Sequence, residues 1–291
     1  MAGETFGASQ WLVWNTAGDR PPLSPWLPLG YITGGDGPEI ESQERTRGAA
    51  GGLDQQIKTE GLIDYPGSVT AILIPEGADI LPLILKNVPD ELAFGGDLGD
   101  GVLLHDPALP TTATVSFGVD QPLTLDLSWL GLYNVTDPPA AAAAITDGWH
   151  WEDFTGEVSV AGDCYGVQSV KYNFTWATQY TDDVCGRLAT YKREHRDLVC
   201  AGLTDISVDV EVLLDPGASF RDDVMDDTVE VSLVAVSNAG VPVTFTLEID
   251  ALRWTGKPSR SYVARDGLVV WSGTLSYRFL SAPTITCSVV Q

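Results

Sequence analysis

The sequence predicts a mainly β protein with two tandem β-sandwich or half-barrel units, each carrying one short flanking α-helix and a long arm between two strands. Polar and apolar residues alternate along segments of both halves, such as LTLDLSWL and LTDISVDVEVL, and a period of two is typical of half-buried strands. Short turn signals such as Asp120-Gln121-Pro122 separate neighbouring segments, which predicts β-hairpins. A similar order of segments recurs in the two halves, which favours an internal duplication.

The first 35 residues contain four prolines and three tryptophans. Proline disrupts regular secondary structure, so we predict an extended strap over residues 1–35 without regular elements. Trp11, Trp14 and Trp26 would anchor this strap on the domain surface or on a neighbouring molecule, because large aromatic side chains bury much apolar area.

A charged segment opens the first unit, over residues 36–64. Its middle, residues 43–52, mixes glutamate and arginine with three glycines. Glycine tolerates backbone conformations that other residues avoid, so we predict a long mobile arm between two strands. The strand after the arm alternates from Leu53 onwards. Its polar positions are Asp54, Gln56, Lys58 and Glu60.

The rest of the first unit, to residue 137, combines a buried strand at 68–74, a short helix and a hairpin. Residues 76–86 fit a helix that Pro82 would shorten or kink. Residues 87–110 are rich in Gly, Asp and Pro, which predicts a loop. The segments TTATVSFGV and LTLDLSWLGL then predict a β-hairpin. Residues 138–148 follow an Asp-Pro-Pro sequence and are predicted to link the two units.

The second unit, residues 149–291, is predicted to be nearly all β, with a turn and short helix over residues 215–227. Strands flank a second charged arm at 180–199. Its charged residues include Lys192, Arg193, Glu194 and Arg196. The strand after this arm alternates cleanly, which places its polar side chains on one face. These polar positions are Asp205, Ser207, Asp209 and Glu211.

The two halves match one another in element order. A Gly-Leu pair opens the strand after each arm, at Leu53 and Leu203, and a proline starts the return strand of a hairpin in each half, at Pro122 and Pro242. This matches VSFGVDQPLTLDLSW with VSLVAVSNAGVPVTFTL. Each half therefore runs strand, charged arm, strand, short helix and hairpin. The alternative is two generic hairpins with one short helix each.

Charge is the abnormal feature of the composition. Forty acidic residues face sixteen basic ones, which gives a formal net charge of −24. Such a surface repels nucleic acid, because phosphate binding requires neutralisation by Lys and Arg. General solubility, a high-salt host and a surface that must be acidic for its task are the three interpretations that remain open.

Catalytic and metal-binding motifs are not found in the sequence, so we expect no enzymatic activity and no cofactor. The chain has three histidines and four cysteines, and it contains no GxSxG, HExxH or phosphate-binding loop. The cysteines lack CxxC spacing, so we expect reduced thiols rather than a zinc site. No apolar run reaches membrane-spanning length, and no secretory signal is visible.

In element order the chain resembles the tail tube, or major tail, proteins of long-tailed bacteriophages and archaeal tailed viruses. The resemblance is carried by DGPEIESQERTRG with the strand that follows it, by EGADILPLIL, and by SFGVDQPLTLDLSWLGLYN. In the second half, GVQSVKYNFTWATQ, the second arm and GLTDISVDVEVLLDPGASFRDDVMDD fit the same order. The resemblance spans nearly the whole chain.

This resemblance implies a structural virion protein. Six β units form a ring in this family, so three chains of two units each would form one ring, and stacked rings would form the hollow tube that delivers viral DNA. The implied partners are further copies of the chain, a tape-measure protein, tail terminator and tip proteins, and viral DNA in transit without specific binding. The implied location is the tail of a virion assembled in the host cytoplasm, with no membrane insertion.

Two sets of residues receive roles from the resemblance. An acidic lumen would repel the phosphates of passing DNA, and arms with both signs of charge would set the register between subunits. The candidate lumen-facing residues are Asp54, Gln56, Lys58, Glu60, Asp205, Ser207, Asp209 and Glu211. The candidate inter-subunit arm residues are Gln43, Glu44, Arg45, Arg47, Lys192, Arg193, Glu194 and Arg196.

A carbohydrate-binding or adhesin-like β-sandwich is the alternative function. Nine tryptophans could supply stacking platforms for sugar rings. Several of them lie within alternating strands, including Trp129, Trp176, Trp254 and Trp271, where packing in the core is the competing role.

Overall fold

The computed structural model describes residues 11–17, 26–48, 56–74, 77–97, 102–119, 121–133, 159–160, 163–164, 166–181, 197–214, 229–236, 244–262, 269–276 and 284–290. The strands of the first half are β1 Trp11–Thr16, β2 Leu27–Pro28, β3 Gly30–Pro38, β4 Glu41–Gly48, β5 Gln56–Asp64, β6 Pro66–Leu73, β7 Leu92–Asp97, β8 Val102–Gly118 and β9 Gln121–Tyr133. Those of the second half are β10 Ser159–Val160, β11 Asp163–Cys164, β12 Gly166–Thr181, β13 Asp197–Leu214, β14 Val229–Val236, β15 Thr244–Tyr262, β16 Val269–Ser276 and β17 Ile285–Val290.

The mainly β prediction is confirmed. Within the described ranges, all regular secondary structure is β-strand, apart from a 3₁₀ turn at Ala78–Ile80 and the helix α1 at Leu81–Ile84. All ladders between these strands are antiparallel, including the predicted hairpins β8–β9 and β14–β15. The alternation seen in the sequence explains this, since β6 alternates between half-buried and buried side chains along its whole length.

Eight strands form one continuous antiparallel array that joins the two halves. Their order is β3-β6-β9-β8-β12-β13-β16-β15. β7 pairs with the first part of β8, β1 pairs with β7, and β2 pairs with β1. In the second half, β14 pairs with the first part of β15, β10 pairs with β14, and β11 pairs with β10. Within the described ranges, β4 and β5 pair only with each other, as a separate two-stranded sheet.

The core lies under the apolar face of this array and draws on both halves. Val69, Leu125 and Val115 from the first half and Phe174 and Val208 from the second belong to a single cluster of buried side chains. Each fully buried side chain of this size contributes roughly 1.5–3 kcal/mol of transfer free energy. The shared cluster therefore ties the two halves together.

The predicted short helix is present, and its apolar side chains are buried in the core. It consists of the 3₁₀ turn followed by the four residues of α1, with Pro82 in its first turn, where proline is tolerated because the missing N–H has no helical partner. Ile80, Leu81 and Ile84 are fully buried. No helix within the described ranges is long and apolar enough to span a membrane.

The predicted strap is wrong in one respect, because it contains regular structure. β1 pairs with β7 and with β2. All four prolines of residues 1–35 follow β1 in sequence, so they remove no hydrogen-bond donor from its ladder with β7. Trp14 and Trp26 are buried, which agrees with their predicted anchoring role.

Residues 87–110 are not the predicted loop. β7 and the first part of β8 occupy most of this range and pair with each other. Between β8 and β9, the register shifts at His105/Ala108 and at Pro110/Thr112. These irregularities accommodate Pro107 and Pro110 within a strand, as β-bulges commonly do.

The predicted arms also contain more strand than expected. Residues 43–48 belong to β4 and pair with β5, while residues 49–55 lie outside the described ranges. A two-stranded ribbon has no core to cover, so β4 needs no apolar face and was not detected by alternation, whereas β5 was. β12 and β13 extend into the second arm as far as Thr181 and from Asp197. The predicted linker at 138–148 and helix at 215–227 lie outside the described ranges.

Candidate functional site

The second-half lumen candidates lie on the solvent side of β13. Asp205 and Glu211 are exposed and Ser207 and Asp209 are half-buried, while the intervening Ile206, Val208 and Val210 are buried. The strand thus presents one carboxylate-rich face and one apolar face, as its period of two requires.

Neighbouring polar side chains on β12 hydrogen-bond to this carboxylate-rich face. The hydroxyl of Ser169 donates to Glu211 Oε2 at 3.2 Å, and Asn173 Nδ2 lies 3.2 Å from Asp209 Oδ2 and 3.3 Å from Ser207 Oγ. Lys171 is exposed and lies opposite Asp209 in the ladder. Cross-strand pairs of this kind hold side chains in fixed positions on a sheet face.

The same face continues without a break into the first half. Thr114 Oγ1 on β8 donates to Asn173 Oδ1 at 3.2 Å, and Ser116 Oγ is 2.5 Å from Thr124 Oγ1 on β9. Asp126 lies opposite Thr114 and Thr70 in the adjoining ladders. We call this surface the polar sheet face; its residues are Thr70, Thr114, Ser116, Thr124, Asp126, Ser169, Lys171, Asn173, Thr175, Asp205, Ser207, Asp209 and Glu211.

The polar sheet face is concave and acidic. Part of it lines an open groove of about 610 Å³ that extends from Thr70 to Glu211. The face carries four carboxylates, Asp126, Asp205, Asp209 and Glu211, and one cation, Lys171. Its remaining side chains are short hydroxyls and an amide. Such a surface offers little to bind an anion and repels phosphate.

The β8–β12 junction joins the two halves through backbone and side-chain contacts. Seven residue pairs form its ladder, from Thr112 opposite Thr175 to Gly118 opposite Ser169. Beyond the ladder, Val119 N–H donates to the Gln168 carbonyl at 2.9 Å. The junction is thus a regular stretch of antiparallel sheet.

Residues that follow α1 also form hydrogen bonds with the strands at the base of the second arm. Trp176 Nε1 donates to the Lys86 carbonyl at 2.9 Å, and the Leu203 N–H donates to Asn87 Oδ1 at 3.4 Å. Gly202 has a φ of +116°, and a Cβ there would lie 3.4 Å from Asn87 Oδ1. The end of the first-half helix is therefore fitted against a strand of the second half.

The base of the first arm is held by a cluster of polar and aromatic groups, of which Tyr65, His105 and Trp129 are buried and Glu39 and Tyr180 are half-buried. We call it the arm-base cluster, and it consists of Glu39, Tyr65, His105, Trp129 and Tyr180. Trp129 Nε1 donates to His105 Nδ1 at 3.2 Å, so His105 carries its proton on Nε2 and donates it to the Glu39 carbonyl at 3.0 Å. Tyr65 N–H donates to the Tyr180 hydroxyl at 2.7 Å.

Burial and close packing define this cluster. Burial lowers the pKa of His105 to about 4, and the hydrogen bond with the Glu39 backbone only partly opposes this shift. Trp129 stacks on Phe94 with ring centroids 4.3 Å apart. Gly67 allows the approach of Trp129, because a Cβ at that position would lie 2.1 Å from the indole ring.

The first-half lumen candidates lie elsewhere. Gln56, Lys58 and Glu60 are in β5 of the two-stranded arm sheet, opposite Gly48, Thr46 and Glu44 of β4. Asp54 lies outside the described ranges. These residues are therefore paired with other residues of the first arm. The first-half strand that contributes to the edge of the polar sheet face is β6, where Thr70 lies opposite Asp126 of β9.

The arm candidates are described only for the first arm. Glu44, Arg45 and Arg47 lie in β4 with register partners Glu60, Thr59 and Ile57. Gln43 lies at a register shift between Ser42 and Glu44. The second-arm candidates Lys192, Arg193, Glu194 and Arg196 lie outside the described ranges.

Sequence reasoning missed the first-half contribution to the polar sheet face and the whole arm-base cluster. The signal for the first was present, since TTATVSF and LTLDLSW carry Thr, Ser or Asp at every second position. The cluster left no such signal. Its members come from five separate strands or turns, and only the folded structure brings them together.

Other kinds of site receive little support. The tryptophans whose exposure is described, Trp14, Trp26, Trp129 and Trp176, are all buried, so none of them offers a sugar-stacking surface. Among the described residues, no group of three or more His, Cys, Asp or Glu could hold a metal ion. No protein-family model matches the chain, and no curated protein sequence matches it.

Proposed function

We propose that the protein is the subunit of a viral tail tube, in which copies of the chain form rings and the rings stack around a channel for DNA. The observation that carries the proposal is the polar sheet face, which is concave, is shared by both halves and has four acids to one base. A wall of this kind lets a polyanion pass without adhering, because it offers few cations to the phosphates.

Two tandem units account for the way the strands pair. The ladders β3–β6, β6–β9 and β9–β8 of the first half have counterparts in β12–β13, β13–β16 and β16–β15 of the second. The short strands correspond as well: β1 and β2 lie in order beside β7, and β10 and β11 lie in order beside β14. This pairing matches the β8–β9 hairpin with β15–β16, whereas sequence alone matched it with β14–β15.

Two units in each chain favour three chains per ring, with six units around the channel. Under this proposal the second-half lumen residues Asp205, Ser207, Asp209 and Glu211 face the channel together with Asp126. The arms would contact neighbouring copies, because an isolated two-stranded ribbon such as β4–β5 is only marginally stable in water.

The further partners follow from the resemblance to tail tube proteins. They are a tape-measure protein inside the tube, terminator and tip proteins at its ends, and viral DNA in transit. The protein would act in the virion tail after assembly in the host cytoplasm, without catalysis and without a cofactor. Closed rings that stack head to tail through a heterologous contact generate a filament, which is how a tube arises from one subunit.

Electron microscopy of the concentrated protein tests this proposal. We expect rings or tubes with a central pore in negative stain, and a ring mass of three chains of 31.1 kDa each by native mass spectrometry. A strictly monomeric protein at all concentrations and salt levels would contradict the proposal. If that monomer bound glycans, the carbohydrate-binding alternative would replace it.

A further inference from the structure

We propose that the outer edge of β15, at residues 253–262, pairs antiparallel with the outer edge of β3 in a second copy of the chain. The inference rests on the proposed function and deepens it, because it names the two surfaces that would close the ring. Three observations support it: two open strand edges, an equivalent junction inside the chain, and opposite charges on the two edges.

Both edges are open in the part of the chain that the structure describes. β3 forms a ladder only with β6 there. The first part of β15 pairs with β14 as far as Leu252 and with β17 as far as Ile249, but from Arg253 to Tyr262 the described part of the strand pairs only with β16. An unpaired strand edge is a template for another strand.

The β8–β12 junction is the template for this contact. β8 is matched by β15 in the pairing of the two halves, and β12 is matched by β3. The first part of β8 pairs with β7 and its second part, from Thr112 to Gly118, pairs with β12. The first part of β15 likewise pairs with β14, which leaves its second part without the partner that β8 has.

Charge distinguishes these edges from the rest of an acidic chain. Residues 253–262 carry Arg253, Lys257 and Arg260 and no acid. Residues 30–41 carry Asp36, Glu39 and Glu41 and no base. Antiparallel pairing in the sense of β8–β12 brings the Arg253 end of β15 towards the acidic end of β3.

The acids on the β3 side repel one another in the single chain. Burial raises the pKa of Glu39, and the nearby charges of Asp36 and Glu41 raise it further. A cation delivered by a second copy would relieve this repulsion. The contact joins two different edges, so it is heterologous and propagates around a ring instead of ending at a two-fold dimer.

Backbone irregularities on both edges hinder pairing with arbitrary strands. The register of β15 against β16 shifts between Thr255 and Ser259, and Pro258 in that interval has no N–H to donate. β3 contains register shifts between Ile32 and Gly37. Such features hinder indiscriminate edge pairing, so the charges set the choice of partner.

Charge exchange across the two edges tests the inference. One variant carries Arg253→Glu and Lys257→Glu, the two cations of β15 nearest to the acidic end of β3 in this pairing, a second carries Glu39→Arg and Glu41→Arg, and a third carries all four substitutions. We expect self-association at least about tenfold weaker for each double variant, which corresponds to about 1.4 kcal/mol, and recovery in the fourfold variant. The control is Glu91→Lys, an exposed site before β7.

Sedimentation velocity at low salt measures the association, and circular dichroism with thermal unfolding checks that each variant folds. If the wild type forms rings and the folded double variants form them equally well, the edge pairing is wrong and the tube proposal stands. A folded fourfold variant that fails to regain association also overturns the pairing. If the wild type forms no rings, both proposals fail.

Discussion

The polar sheet face and the arm-base cluster use similar side chains under opposite conditions. On the polar sheet face, Asp205 and Glu211 are exposed and their charges are solvated. In the arm-base cluster, His105 is fully buried, and its two ring nitrogens are held by Trp129 and the Glu39 backbone. Polar groups in water cost little to replace, whereas buried ones are expensive to leave unpaired.

Under the tube proposal, this difference separates function from stability in the molecule. The arm-base cluster fixes where the β4–β5 ribbon leaves the sheet, since Glu39 precedes β4 and Tyr65 follows β5. The polar sheet face is free to carry whatever charge its surroundings require. We therefore expect substitutions in the cluster to change the free energy of unfolding. If the protein forms a tail tube, substitutions on the face should instead change its interactions with DNA.

Trp129→Ala should have the largest effect. It removes a buried ring that stacks on Phe94 and donates to His105, and large-to-small changes of this kind cost about 3–5 kcal/mol. Urea-induced unfolding followed by circular dichroism measures the loss. A loss below about 1 kcal/mol would contradict the role of the cluster, because surface positions fall in that range.

Trp129→Phe is the matched control for packing. It keeps an aromatic ring against Phe94 but removes the donor to His105 Nδ1, which leaves a buried acceptor unpaired at a cost of about 1–3 kcal/mol. The difference between the two variants separates the ring contact from the hydrogen bond.

The buried histidine should make stability depend on pH. The pKa of His105 is lowered from 6.5 to about 4 in the folded protein, so between these values the unfolded chain binds a proton that the folded chain does not. The contribution of His105 to the free energy of unfolding is therefore fully present above about pH 6.5 and is lost as the pH falls towards 4. The expected loss between pH 7 and pH 5 is about 2 kcal/mol.

His105→Gln isolates this contribution from the forty acids of the chain. The variant cannot gain a charge at position 105, so its stability should fall less steeply over the same pH range. Chemical unfolding of both proteins at several pH values measures the difference. Parallel curves for the two proteins would show that His105 is not protonated on unfolding.

Strand content and the alternating faces could be predicted from the sequence, and the exceptions have physical causes. β6 and β13 were found because one side of each must be apolar to cover the core. β4 and β7 were missed for different reasons: the arm ribbon has no core to cover, and residues 87–110 carry glycines and prolines that β-bulges absorb. The local sequence pattern does not reveal where a strand lies outside the core or where β-bulges accommodate glycine and proline.

The candidate site was predictable only where one strand carries it. The acids of β13 alternate with Ile206 and Val208, so their common face followed from sequence spacing. The first-half candidates that the structure describes lie on β5, which pairs with β4 in the arm ribbon, whereas the first-half strand that pairs with β9 in the array is β6. Contacts such as Tyr65–Tyr180 join residues 115 positions apart and have no local signature.

The smallest stability effect is expected for reversal of charge on the polar sheet face. Asp205→Lys with Glu211→Lys changes two exposed positions, so the free energy of unfolding should change by about 0.5 kcal/mol or less per site. Rings should still form. The reversed wall should now retain DNA, with a binding constant that falls as salt rises, because each new lysine neutralises a phosphate and releases a counterion.

Fluorescence anisotropy of labelled double-stranded DNA with assembled protein measures this retention at several salt concentrations. Glu91→Lys makes the same change of net charge as either single substitution, Asp205→Lys or Glu211→Lys, but away from the polar sheet face, and each single variant is compared with it. If assemblies of the control retain DNA as strongly as those of the single variants, the net charge governs DNA contact. In that case Asp205 and Glu211 do not line the channel, and the separation of the molecule into a stabilising cluster and a DNA-facing wall would fail on its second part.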